Sequence, residues 1–153
     1  MTKQDLDKKK VVELLNRILE MELAGAVRYT HYSLMVFGHA RIPIVSWLRG
    51  EASKSMAHAQ KAGEIITHLG EHPSLGIGPL LETHRHQIDE ILREALEHER
   101  ATLEKYRELL KLAEGRSVML EEYARSLVFE EEFDAGEVDK MLRRPGEIAS
   151  VSG

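Results

Sequence analysis

Leu19-Glu20-Met21-Glu22, with Arg28-Tyr29 following, returns later in the chain as Leu96-Glu97-His98-Glu99, with Lys105-Tyr106 following. In each copy the tyrosine lies two helical turns beyond the second glutamate, on the same helix face. Apolar residues at helical spacing surround both glutamates: Leu15, Ile18, Leu19, Ala26 and Tyr29 about Glu22, and Leu92, Ala95, Leu96, Leu103 and Tyr106 about Glu99. A carboxylate among core positions is costly unless it is paired or bound to a metal. Two such carboxylates, placed by an internal repeat, point to a cation between two helical units.

Outward from these stretches, sparse proline and glycine divide the chain into four helices. The first runs from about Asp5 to Phe37, before the break Gly38-His39-Ala40-Arg41-Ile42-Pro43. Pro43 is placed to open the second helix near its first turn. That helix runs to about Leu69, with Gly70 as its C-terminal cap. An extended linker from Gly70 to roughly Leu81 leads to a third helix from about Glu82 to Ala113, which stops at Gly115. Ser117 is suited to N-cap a fourth helix that ends near Leu142, ahead of Arg143-Arg144-Pro145-Gly146. Short connections join helices one to two and three to four, and the longer linker can cross the full length of the molecule. The expected fold is all-α: an antiparallel four-helix bundle with one long crossover between helices two and three, over residues 1–145, and a short tail at 146–153. Heptad bias alone would produce a repeated hairpin but not repeated core glutamates.

Composition agrees and narrows the function classes. At 153 residues the chain can bury a core without staples, and having no cysteine it has no disulfide, thiolate site or thiol nucleophile. A net charge of −5 argues against nucleic-acid binding by phosphate neutralisation. No apolar stretch approaches the ~20 residues of a membrane-spanning helix, and Met1-Thr2-Lys3-Gln4-Asp5 lacks the apolar core of a secretory signal. The expectation is therefore a cytoplasmic protein with no membrane or nucleic-acid partner. Charged residues at 31% with aromatics at 5% suit long amphipathic helices.

Candidate metal ligands occur on all four helices. Carboxylate-bridged bundles place a glutamate on each of two helices and a Glu-x-x-His pair on each of the others, because residues three apart share a face. Helices one and three supply Glu22 and Glu99. Helix two supplies Ser55-Met56-Ala57-His58, with His58 on the face of Leu48, Ala62, Ile65 and Leu69. Helix four supplies Glu131 and Asp134 on the stripe of Ala124, Leu127, Val128 and Val138. A single buried glutamate is more often paired with arginine, for which Arg17, Arg28 and Arg125 are at hand, and a single histidine is more often a core residue. Their joint occurrence is harder to explain without a metal. Of Glu130-Glu131-Glu132 only Glu131 is expected to point inward, and Lys8-Lys9-Lys10 reads as a solvated face. His31, His39 and His98 show no evident partner and read as surface residues, as does His84-x-His86 at a helix start. His68 and His72 are placed to chelate an adventitious ion at most.

With these residues the chain resembles the bacterioferritin-type members of the ferritin-like superfamily, over nearly all of its four helices. Leu15-Asn16-Arg17-Ile18-Leu19-Glu20-Met21-Glu22-Leu23 is similar to the family's first-helix motif, with Glu22 as a terminal iron ligand and Tyr29 beside the di-iron centre, where the resemblance implies a catalytic role, hydrogen-bonding a ligand or donating an electron. Ile91-Leu92-Arg93 through Glu99 to Arg107-Glu108 is similar to the third-helix motif, with Glu99 bridging. His58-Ala59 matches the second-helix histidine and Glu131 the bridging glutamate of helix four. Met56 falls where bacterioferritins place the methionine that binds haem b between two subunits. The resemblance implies ferrous iron oxidation by dioxygen or peroxide at a di-iron or asymmetric site, iron storage, and assembly into a homo-oligomer from a dimer up to a shell. Two positions depart from the pattern: Ser55 stands in place of a glutamate and Asp134 in place of a histidine. Serine is a poor ligand, so the centre is expected to be asymmetric, mononuclear, or weak in its second ion. Glu51, one turn before Ser55, could approach only the edge of the site. With little room for a fifth helix after Pro145-Gly146, an assembly smaller than a full shell is also expected. Competing readings are a non-catalytic bundle that binds partners, a Dps-like mini-ferritin (for which Glu51 with Ser55 fails the helix-two carboxylate pattern), and a di-metal oxidase acting on an organic substrate.

Overall fold

A computed structural model of the chain describes residues 5–80 and 83–151. Four helices follow in order: α1 (Lys8–Met35), α2 (Arg41–His68), α3 (Ile88–Ala113) and α4 (Val118–Leu142). Packing of α1 along α2 and of α3 along α4 forms two hairpins, joined chiefly through α1 against α3. No strand occurs among the described residues.

Local chemistry sets the helix ends. The Asp7 carboxylate accepts from the Lys10 amide at the start of α1, and the Ser117 hydroxyl accepts from the Leu120 amide at the start of α4. Pro43 sits in the first turn of α2, where its missing N–H costs no helical bond. Gly70 and Gly115 follow α2 and α3 with φ of 81° and 72°, a left-handed geometry that glycine adopts without a Cβ penalty. The expected start of the third helix is corrected. Leu81 and Glu82 lie outside the described residues, residues 83–87 are not helical, and His84 has φ 57°. α3 begins only at Ile88.

The crossover is fastened to α1 along its length. The Ser74 amide donates to Asn16 Oδ1 at 2.7 Å, the Ser74 hydroxyl to Glu20 at 2.6 Å, and the Gly78 amide to the Glu20 carbonyl at 2.9 Å. A Cβ at position 78 would meet that carbonyl at 3.1 Å, so glycine is what allows the linker to lie this close. The chain is thereby led from the end of α2 to the far end of the bundle, where α3 starts antiparallel to α1.

The core is divided. One apolar cluster takes Leu15, Ile18 and Leu19 from α1, Ala62 and Ile66 from α2, Tyr106 and Leu109 from α3, and Leu120, Ala124 and Leu127 from α4. Another takes Tyr29, Tyr32, Val45, Leu48, Ile91 and Ala95. Between these clusters in the chain order of α1, α2 and α3 lie the buried polar residues Glu22, Glu51, Ser55 and Glu99, and on α4 Glu131 lies between Leu127 of the first cluster and Val138, which packs with Leu92 and Leu96.

Candidate metal centre

This polar layer is built one helix at a time. On α1, Glu22 follows Leu15, Ile18 and Leu19 on the inward stripe and is 3% exposed. From α2, His58 points its Nδ1 at Glu22 Oε2, 3.1 Å away, and at Glu131 Oε1 of α4, 3.4 Å away. Ligand atoms of Glu22, His58 and Glu131 all lie within 4.8 Å of one another, the one such group of three among the described residues. From α3, Glu99 accepts a hydrogen bond from the Tyr29 hydroxyl, so the tyrosine of the first repeat holds the glutamate of the second. Tyr29 is itself fixed edge-on against Trp47 and Tyr32, with ring centroids 6.2 and 6.3 Å away. Tyr106 of the second repeat instead packs its ring against Tyr123, 6.1 Å away, and its buried hydroxyl makes no hydrogen bond to Glu22.

The electrostatics are those of too many carboxylates in a dry place. Burial lifts the Glu22 carboxyl to about 7, although the His58 imidazole opposes the rise. Glu99 is raised well above its ordinary range by burial and then by Glu131 beside it, so of this pair Glu99 holds the proton. Burial would lower His58, but Glu131 and Glu22 overcome it and carry the imidazole up to about 10. Arginine does not neutralise the layer. Arg28 turns to the Tyr32 hydroxyl and to His98, and Arg125 pairs with Glu114 and Glu121 on the outside. Glu131 Oε2, buried, receives no hydrogen bond from an N–H or hydroxyl group among the described residues. Carboxylate oxygens and one imidazole, with a buried lone pair left over, suit iron, manganese or zinc. Ligation at Nδ1 requires His58 to surrender a proton, so ion binding and proton release are linked.

The residues expected from sequence are distributed as follows. Glu22, His58 and Glu131 converge, and Glu99 with Tyr29 adjoins them. Asp134 enters the same layer, raising both Glu22 and Glu99 electrostatically, but its oxygens lie 3.0 and 3.1 Å from Lys54 Nζ. Met56 faces outward and is 41% exposed. Other residues behave differently from their sequence reading. Glu51 is buried rather than marginal, and Asp134 and Glu99 both act on it. Glu130 is half exposed yet reaches His58 Nε2 at 3.0 Å, so Glu131 is not alone in facing the site. His98 is buried, not solvated: its Nε2 is 3.2 Å from the Met21 carbonyl and its Nδ1 is 3.1 Å from Arg28. Burial first, then Arg28, lowers that imidazole to about 4, so it is neutral and donates from Nε2. His84 and His86 lie ahead of α3, and His86 packs against His31 across a 6.2 Å ring separation. The spacing Glu51-x-x-Lys54 and Lys54-x-x-x-His58 was a sequence signal for the lysine, because both intervals keep a residue on one helix face.

A model of the ferritin-like domain family matches residues 12–145. The bacterial non-heme ferritin of Escherichia coli O157:H7 is 26% identical over 106 residues, which cover 69% of this chain and 64% of that protein. The chain thus matches somewhat less than two thirds of the length of this relative. Among solved structures, a ferritin-like, diiron-carboxylate protein from Bacillus anthracis str. Ames superposes with a TM-score of 0.85, covering 92% of this chain and 100% of that one at 23% identity. A dodecameric thioferritin, the bacterioferritin-related protein of Bacteroides fragilis, superposes with a TM-score of 0.84, covering 90% and 87% at 21% identity. At such identities the superpositions establish the fold.

Proposed function

The chain belongs to the ferritin family, whose ferritin-like domain occupies residues 12–145, and from that premise we propose that its polar layer binds ferrous iron and oxidises it for storage. The observation that carries this reading is the convergence of Glu22, His58 and Glu131 from three helices inside the bundle. Iron is the substrate: each ferrous ion gives one electron to dioxygen or peroxide and leaves as ferric iron. Glu22, Glu131 and the His58 imidazole hold the ion, and their anionic oxygens favour the ferric product over the ferrous substrate. Glu99 supplies a further oxygen alongside, aimed by the Tyr29 hydroxyl, which makes Tyr29 a positioning residue in this scheme. Glu130, half exposed and touching His58, offers a carboxylate between solvent and the buried group through which a cation can enter.

Storage implies assembly. Phe129 and Phe133 stack on the outer face of α4 at 6.0 Å and are 69% and 58% exposed, which suits burial against a second copy of the chain. The dodecamer of the Bacteroides fragilis relative is the precedent for a shell of modest size. Met56, on the outer side of α2, is where haem b would join two subunits. Aerobic ferrous titration of the metal-free protein tests the activity. Saturable oxidation that is slowed at least tenfold in Glu131→Gln is expected. Oxidation no faster than in buffer, or undiminished in that variant, would count against a ferroxidase.

A further inference from the structure

Beside the Glu22, His58 and Glu131 group stand two further carboxylates, Glu51 of α2 and Asp134 of α4, the latter one turn beyond Glu131 on the same helix. Both meet one side chain, Lys54 of α2. In a symmetric two-ion centre these two carboxylates would take the second ion, about 4 Å from the first. A cation is already there. Lys54 Nζ lies 3.0 and 3.1 Å from the two oxygens of Asp134 and 3.3 Å from Glu51 Oε1. Both Asp134 oxygens are thus engaged by one ammonium, and an ion could recruit them only by breaking charge-assisted hydrogen bonds.

We propose that the Lys54 ammonium is the resident cation of the second position, so that each chain takes a single divalent ion, held by Glu22, His58 and Glu131. The charges support this division. Glu22, Glu51, Glu99, Glu131 and Asp134 in the layer, with Glu130 at its rim, face one imidazole and one ammonium. With one divalent ion at the first position, Lys54 remains against Glu51 and Asp134 at the second. A second divalent ion would have to sit against the ammonium or expel it. Ser55, buried in the same layer, adds no carboxylate to it.

This inference rests on the metal reading of the centre, and counting ions separates the two. Co2+ alone is equilibrated anaerobically with wild type, Lys54→Gln and Lys54→Arg, bound metal per chain is measured, and ion positions are located by anomalous diffraction. Helicity is checked in each variant. Expected are one buried ion in wild type and in Lys54→Arg, and two in Lys54→Gln, the added ion lying between Glu51 and Asp134. Two buried ions in wild type, with Lys54 turned to solvent, overturn the inference, as does a folded Lys54→Gln that still holds one. If Lys54→Gln does not fold, the wild-type count and the distance of its ion from Asp134 decide the matter. No buried ion in any protein would overturn the metal reading itself, and the role of Lys54 with it.

Discussion

At the scale of single residues, the layer is defined by two groups that hold protons more tightly in the fold than in the unfolded chain. Glu22 rises from 4.5 to about 7, because burial outweighs the opposing imidazole. His58, lowered by burial but raised more by Glu131 and Glu22, goes from 6.5 to about 10. A raised folded-state value means stability that is present at low pH and lost as pH increases. The Glu22 contribution is complete below 4.5 and lost as pH passes about 7, and that of His58 is complete below 6.5 and lost as pH passes about 10. Urea unfolding of the metal-free protein should therefore show stability falling from pH 5 to pH 10, with His58→Ala abolishing the alkaline part of the fall. A flat or rising profile would contradict this. At pH 6 the same variant should cost about 2 kcal/mol, since it strips buried carboxylates of a hydrogen-bond donor. Metal affinity has the opposite dependence: protons must leave Glu22 and His58, so calorimetry in buffers of different ionisation heat should show proton release and an affinity that climbs between pH 6 and 8.

Within the helices, the glycines separate two effects that sequence alone does not. Gly63 of α2 and Gly136 of α4 have open space where a Cβ would go, so alanine at either gains helix propensity, about 0.5–1 kcal/mol of stability. Gly25 of α1 is different, because a Cβ there would lie 3.0 Å from Ser55 Oγ and 3.2 Å from His98 Nε2. His98 cannot yield easily, being held by the Met21 carbonyl and Arg28. Gly25→Ala should thus destabilise by about 1 kcal/mol despite its better propensity, since overpacking costs about 1–3 kcal/mol. Ser55→Ala should relieve part of that cost in a double-mutant cycle, and thermal melts of the four proteins measure it. The same close approach explains why His98 was misread. Apolar periodicity put position 98 outside the stripe of Leu92, Leu96 and Leu103, but a glycine opposite lets α1 come near enough to bury it. Helix ends were legible wherever glycine, proline or a capping serine marked them, as at Gly70, Gly115, Pro43 and Ser117. The start of α3 was not, because Thr83-His84-Arg85-His86-Gln87 contains neither glycine nor proline, and its break rests on His84 adopting a left-handed backbone.

For the molecule as a whole, the repeat around Glu22 and Glu99 made the four-helix topology readable, since two like hairpins and one long linker admit few arrangements. The pairing within the centre was less readable. Sequence spacing says which face of a helix a side chain occupies, whereas the partners of Lys54, Glu51 and Glu130 depend on how α2 and α4 are set against each other. Assembly is a property of this scale too. Phe129 and Phe133 form an exposed apolar pair, and Phe129→Glu with Phe133→Glu should reduce the native mass while leaving helicity intact. An unchanged mass in native mass spectrometry would place the subunit contact elsewhere.

The central claim, that iron is held inside the bundle by Glu22, His58 and Glu131, is tested most directly by anomalous diffraction at the iron edge from crystals exposed anaerobically to ferrous iron. The account predicts a strong peak bonded to His58 Nδ1 and to oxygens of Glu22 and Glu131, absent from His58→Ala. Iron found only at surface carboxylates, with the interior of the bundle free of anomalous density, would contradict it.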